Sequence, residues 1–216
     1  MDKRWKVGLI RVVTLNDERL ARMHGEIIME KFPCLEVETK CIPDQYEGIH
    51  SPETKKQAVP KIIELAKSFQ DIDVLIVSCA DDPAVLELRK QLEIPVVGAG
   101  GSVATLASRY GQRAGILGIT DYAPPPYEQI LGKGLINLGR PEGVNSTLDL
   151  MTSEGKESVV HLAMKLKEAG ADSIALSCTG MSTIRIAGLL SDRTGLPVID
   201  PVTAEGLMAY YEFVKI

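Results

Sequence analysis

"DVLIVSCADDPAV" (Asp73–Val85) and "DSIALSCTGMSTI" (Asp172–Ile184) share one plan: an aspartate, an apolar run, Ser-Cys and a polar loop. A short apolar run bounded by turn residues is the pattern of a strand buried on both faces, as in a parallel sheet. Working outward, the plan widens. "VGLIRVVT" (Val7–Thr14) precedes the first copy and "AGILGIT" (Ala114–Thr120) the second, each an apolar strand ending in Thr. "IPVVG" (Ile94–Gly98) follows the first and "LPVID" (Leu196–Asp200) the second, each a strand opened by Pro, a position that proline tolerates. The order strand-Thr, strand-Ser-Cys, Pro-strand therefore occurs twice. It predicts a duplicated unit with a cysteine at the same place in each half.

The remaining elements follow from periodicity. Strands are expected at Val7–Val13, Leu35–Cys41, Val74–Ser78, Val96–Val97, Ala114–Ile119, Ser173–Ser177 and Val198–Ile199. Leu35–Cys41 alternates apolar and polar residues, so it reads as half exposed or as an edge. Helices are expected at Asp17–Lys31, Thr54–Phe69, Pro83–Leu92, Ser102–Tyr110, Pro126–Leu138, Glu154–Ala169, Thr183–Thr194 and Ala204–Val214. Asp82 reads as the N-cap of the third of these, with Pro83 at its first position. Tyr122–Pro126, with three consecutive prolines, reads as a loop, a lid or an interface arm. Strands alternating with helices predict the α/β class. The expected architecture is two pseudo-symmetric lobes, each a parallel sheet flanked by helices in the manner of flavodoxin, with the active site in the cleft between them. Residues 1–98 with 201–216 would form the first lobe and 99–200 the second.

Composition narrows the function classes. The 216 residues are 45% apolar, enough for a sizeable core, and the net charge is −5 with both signs interspersed. That gives no electrostatic footprint for nucleic acid or for an anionic membrane. "MDKRWKVGLI" lacks the pattern of a secretory leader, and the longest uncharged run, Ile94–Ser108, is too short to span a bilayer. A cytoplasmic location is the expectation. Four cysteines (34, 41, 79, 178) without a Cys-x-x-Cys pair, and three scattered histidines, argue against a disulfide framework and against a metal site.

In open parallel sheets, ligands bind beyond the carboxyl ends of the strands. Thr14, Cys79, Thr120 and Cys178 fall at such ends. If the lobes face each other, two thiols approach one cleft from opposite sides. One thiolate can then remove an α-proton from one face of a substrate while the other thiol protonates the opposite face. A thiol has a pKa near neutrality before tuning, so it suits both roles. Amides in the loops after the cysteines can stabilise an enolate, while Asp81 and Asp82 would raise the first thiol.

These residues resemble the cofactor-independent Asp/Glu/hydantoin racemase superfamily, most closely its hydantoin/allantoin branch. "CADDP" (Cys79–Pro83) fits that branch's Cys-x-x-Asp-Pro motif and "CTGM" (Cys178–Met181) its Cys-x-Gly-Met motif. The resemblance covers nearly the whole chain. It implies a racemase that uses no cofactor and acts on a small molecule, with Cys79 and Cys178 as the acid/base pair. It implies main-chain contacts to the substrate from Ala80, Asp81, Thr179 and Gly180, a hydroxyl contact from Thr120, and a homo-oligomer. Thr179 is followed by Gly180 where the acidic amino-acid racemases carry Glu, which argues against an acidic amino acid. "RVVTLND" (Arg11–Asp17) departs from the Asn-Pro-Asn-Thr-like stretch of hydantoin racemases, leaving Thr14 as the retained hydroxyl. A hydantoin ring is uncharged near neutrality and needs no arginine clamp; Arg89, Arg109 and Arg185 are the arginines that could approach.

Plainer readings stand beside these. A buried free cysteine is common in cores, and Cys34 and Cys41 read as packing residues. Ser102, after "GAGG", reads first as an N-cap and then as a residue facing the cleft. "GAGG" has the glycines of a phosphate loop without the Lys-Ser/Thr that would complete one. His24 and His161 read as solvated or capping. The competing functions are an amino-acid racemase, a maleate-type isomerase with one nucleophilic cysteine, a non-catalytic ligand-binding protein on the same scaffold, and a Cys79–Cys178 redox couple.

Overall fold

The computed structural model describes residues 4–215; residues 1–3 and 216, assigned above to the first lobe, lie outside them. Among the described residues the first sheet contains β1 (Trp5–Arg11), β2 (Leu35–Cys41), β3 (Val74–Ser78) and β4 (Val96–Gly98), in spatial order β2-β1-β3-β4. The second contains β5 (Ala114–Leu117), β6 (Leu135–Asn137), β7 (Ser173–Leu176) and β8 (Val198–Ile199), in the equivalent order β6-β5-β7-β8. Every pairing is parallel. The two copies of the sequence plan are thus two copies of one topology, and the α/β class is as expected.

The aspartate that opens each quoted stretch sets the register. Asp73 accepts from the Lys6 amide at 2.9 Å and gives its own N–H to the Lys6 carbonyl. Asp172 does the same to the start of β5, accepting from the amides of Gln112 and Arg113 at 2.9 Å. Each aspartate ties the start of its cysteine strand to the neighbouring central strand, so both strands reach the carboxyl edge together.

Burial on both faces explains the unbroken apolar runs. All five residues of β3 and all four of β7 are buried. On one face of the first sheet lie α1 (Glu18–Lys31) and α9 (Pro201–Val214), whose Ile27, Ile28, Val202 and Ala209 pack with Val7 and Leu9. On the other lie α2 (Pro52–Ala66) and α3 (Val85–Gln91), packed through Ala58, Ile62 and Leu88 against Ile10 and Leu75. The second sheet is covered by α6 (Ser153–Glu168) and α8 (Ala187–Thr194) on one face, and by α4 (Ala99–Ala107) and α5 (Pro125–Leu131) on the other. A short helix, α7 (Gly180–Thr183), follows Cys178. Each fully buried Leu, Ile or Val contributes on the order of 1.5–3 kcal/mol of transfer free energy, so these four apolar layers hold the lobes. The alternating strand β2 is an edge.

Several boundaries differ from the expectation, each for a local reason. The helix expected at Pro126–Leu138 stops at Leu131, because Gly132 turns with φ +51°, and Leu135–Asn137 instead forms the edge strand β6. Thr183–Thr194 is interrupted at Arg185, whose φ is +50°. Asp200, not a later residue, caps the last helix, accepting from the Thr203 amide at 2.8 Å.

The largest correction concerns Asp82. Asp82 and Ala84 both have positive φ, and α3 begins only at Val85 without a side-chain cap. The Asp82 carboxylate reaches instead to the amides of Gly100 and Gly101, at 2.6 and 2.8 Å, and so caps α4. This accounts for "GAGG". A Cβ at Gly98 would overlap the Asp82 carboxylate, and one at Gly100 would overlap the Ala80 carbonyl. The glycines receive an internal carboxylate where a phosphate loop would receive its ligand. Ser102 is correspondingly not an N-cap; it lies inside α4 and donates to the Gly98 carbonyl at 2.6 Å.

Gly100→Ala is therefore expected to lower the unfolding free energy by about 1–3 kcal/mol through overpacking against backbone. Gly188→Ala, in α8 with open space around it, should raise it by about 0.5–1 kcal/mol. Urea midpoints of the two variants, at unchanged m, check both signs.

Candidate active site

The carboxyl edges of the two sheets face each other across a cavity of about 130 Å³. Cys79 enters it one residue after β3 and Cys178 two residues after β7. Cys178 is 6% exposed, and Cys79 is half-buried. The walls are mainly apolar, with Leu15, Ile49 and Leu148 among them.

Of the residues singled out in the sequence, Cys79, Ala80, Asp81, Thr120, Cys178, Thr179 and Gly180 all line this cavity. Thr179 bridges the lobes, its hydroxyl directed at the Ser78 carbonyl 3.5 Å away. Thr120 closes its own turn, donating to the Tyr122 carbonyl at 2.8 Å. Tyr122 and Pro124, from the proline-rich loop, form part of the wall. Two residues lie elsewhere. Thr14 donates to the Ile42 carbonyl at 2.6 Å and accepts from the Gln45 amide at 2.7 Å. It pins the loop after β1 to the loop after β2 and is absent from the cavity lining. Ser102 lines a separate groove of about 450 Å³ bounded by α3, α4, α5 and α9.

The thiols sit in unequal electrostatic surroundings. Burial raises the Cys79 thiol most; the carboxylates of Asp81 and Asp82 push the same way, against one hydrogen bond from the Asp81 amide. Asp81 is partly offset by Lys55, whose ammonium lies 3.0 Å from it. Burial also raises Cys178, to about 11, but here the amides of Gly180 and Met181 and the cation Arg11 all favour the thiolate. Cys178 is the first of the two to ionise as pH rises.

Arg11 was not anticipated as a site residue. It ends β1 opposite Ser78, is 6% exposed, and lines the cavity while donating to the Leu20 carbonyl at 2.6 Å. Desolvation brings it down to about 10, still cationic at neutral pH. The only hint in the sequence was a charge interrupting the buried run "VGLIRVV". The matching position of the other repeat is Gly118, so only one lobe supplies a cation. The arginines that the sequence left free to approach are absent from the cavity lining: Arg89 donates to the Val96 carbonyl, Arg109 lies over the Tyr110 ring, and Arg185 pairs with Glu30. His24 is also corrected. It is fully buried, bonded to Ser78 at 2.8 Å and to Thr183 at 3.0 Å. Its place on the Leu20–Ile27–Ile28 face of α1 was the available signal.

Among the described residues no group of three or more His, Cys, Asp or Glu is arranged to hold a metal ion, and no helix is long and apolar enough to cross a membrane.

Comparison with known proteins gives a consistent result. The family model described as Asp/Glu/Hydantoin racemase matches residues 23–206. A hydantoin racemase of Pseudomonas sp. (strain NS671) is 27% identical over 162 residues, covering 68% of this chain and 61% of that protein. One from Paenarthrobacter aurescens is 28% identical over 155 residues, covering 66% and 62%. The chain thus spans about three fifths of the length of these curated relatives. The structure of an allantoin racemase from Pseudomonas fluorescens superposes with a TM-score of 0.80 at 20% identity, covering 96% of this chain and 90% of that one. A glutamate racemase from Bacillus anthracis superposes at 0.64 and 16% identity, covering 99% and 84%. At such identities the superpositions establish the two-lobed fold.

Arg11→Gln is expected to move the Cys178 thiol upward, because a cation that favours its thiolate is removed. Iodoacetamide labelling of Cys178, followed by peptide mass across pH, should then shift to higher pH. A shift to lower pH, or none, would contradict the assigned role.

Proposed function

The chain belongs to the Asp/Glu/hydantoin racemase family, and from that premise we propose that it racemises a 5-substituted hydantoin or a related cyclic ureide by proton transfer between two thiols. The observation that carries this reading is the placement of Cys79 and Cys178 at equivalent strand ends of two lobes, lining one cavity. The Cys178 thiolate takes the α-proton from one face, and the electron pair moves into the adjacent carbonyl. The Cys79 thiol gives its proton to the opposite face, leaving Cys79 as the thiolate; the reverse reaction exchanges the roles. Arg11 makes Cys178 the better resting base. The α-carbon of a hydantoin lies between a ring carbonyl and a ring nitrogen, so an enolate forms without an imine. The apolar walls suit a neutral ring and its substituent.

Main-chain amides donate to the sulfurs and so support the thiolates that the proposed steps form. The Asp81 amide faces Cys79, and those of Gly180 and Met181 face Cys178.

A second reading, racemisation of an amino acid, is favoured by Arg11, a buried cation at the cavity wall able to hold a carboxylate. The two separate in a substrate panel. With a ring substrate, Arg11→Gln shifts the pH profile; with a carboxylate substrate it raises KM at every pH.

Cys79→Ser and Cys178→Ser should each lower racemisation by at least roughly a hundredfold. Each variant should still exchange the α-proton of a single enantiomer with deuterium from solvent, and of opposite enantiomers. Normal racemisation by either variant ends the two-thiol mechanism.

The pH dependence follows from the raised thiols. The free enzyme needs one thiolate, and the more acidic thiol titrates near 11. kcat/KM should therefore rise with pH from 7 to 10, with a slope near one on logarithmic axes. A plateau beginning near neutrality would contradict a raised resting thiol.

A further inference from the structure

The two-thiol mechanism leaves unexplained a buried file of polar groups that joins the two cysteine loops. Glu205 of α9 meets Ser78 at 2.7 Å, Ser78 meets His24 Nδ1 at 2.8 Å, and His24 Nε2 meets Thr183 at 3.0 Å. Glu205 and His24 are fully buried, and Ser78 is 2% exposed. Ser78 immediately precedes Cys79, Thr183 ends the helix after Cys178, and both line the cavity. Among the described residues, Glu205 Oε2 has no hydrogen-bond partner.

Each hydroxyl in such a file has one proton, and a proton on Glu205 Oε2 would meet no acceptor among the described residues, so two orders remain. If Glu205 is ionised, Ser78 donates to it, His24 donates Nδ1–H to Ser78, and Thr183 donates to Nε2. Thr183 then offers the cavity only lone pairs. If Glu205 is neutral, it donates to Ser78, Ser78 donates to Nδ1, and Nε2–H donates to Thr183. The Thr183 O–H is then free to donate to a group in the cavity that Thr183 lines.

Burial selects the second order. A carboxylate with one hydrogen bond and a bare second oxygen is poorly compensated in a dry interior. Arg11 approaches Glu205 but forms no ion pair with it, and the carboxylates of Asp200 and Asp82 oppose its ionisation. His24 is held neutral by burial and by Arg11, against a hydrogen bond from its ring to the Thr179 carbonyl that favours the cation. A carboxylic acid kept neutral so that it can donate is an established catalytic arrangement.

We infer that Glu205, Ser78 and His24 are positioning residues that order one chain of protons, so that Thr183 donates a hydrogen bond to the substrate oxygen on which enolate charge collects. The role of Thr183 rests on the racemase reading; the proton order does not.

Nitrogen-15 NMR of the imidazoles at neutral pH, with His24 assigned by its loss in His24→Gln, reads the order without any substrate. The expected result is an Nε2–H tautomer, retained in Glu205→Gln, whose amide still donates to Ser78. An Nδ1–H tautomer overturns the inference. In turnover, Thr183→Val should lower kcat on the order of a hundredfold with little change in KM, the effect of removing one oxyanion donor. Thr183→Ser should restore it, and Glu205→Gln should retain most of it. Wild-type kcat in Thr183→Val overturns the substrate contact. Absence of turnover across a hydantoin and amino-acid panel by the wild-type protein would instead refute the racemase reading, and the tautomer would still decide the proton order.

Discussion

Parallel pairing of the cysteine strands with their central neighbours is the constraint on which the rest depends. A parallel sheet puts the carboxyl ends of all its strands on one edge. In each lobe the cysteine strand is held in register by an aspartate bonded to the start of the adjacent strand. The thiol that follows the strand is thereby delivered to the edge in both halves. With the two edges opposed, the cavity has one sulfur from each side.

Duplication supplies the matched positions, and the departures from symmetry make the surroundings of the two thiols unequal. The first repeat places Arg11 where the second has Gly118, and has Asp81 and Asp82 after its cysteine where the second has Gly180 and Met181. Both differences act in one direction. The carboxylates sit beside Cys79, and the cation favours the thiolate of Cys178. Two thiols with the same backbone placement therefore differ in their ease of ionisation. Lys55 tempers this difference by pairing with Asp81.

Much of the fold was legible because its signals are local. The strands β2, β3 and β8 begin and end where the apolar pattern placed them. The errors fell where backbone conformation interrupts a pattern. Gly132 and Arg185 take left-handed conformations that end helices the periodicity would have continued. Asp82 stands where the pattern predicts the cap of the following helix, whereas its carboxylate serves α4, which begins seventeen residues later. "GAGG" has the glycines of a phosphate loop without its Lys-Ser/Thr, and the group it receives is that carboxylate.

By itself the sequence determined the α/β class, the duplicated plan and the two cysteines at strand ends. Each of these is written as a periodicity or a spacing within a short window, and apolar burial enforces such patterns with little regard to the remainder of the chain. Tertiary structure alone decided that Arg11, His24 and Glu205 are buried together near the cavity, that Thr14 ties two loops, and that Ser102 faces a separate groove. A buried polar group is stable only with partners, and these partners come from elements far apart in the chain: α1, β3, α7 and α9. No short window contains such a set, so the pairing exists only once the lobes have packed.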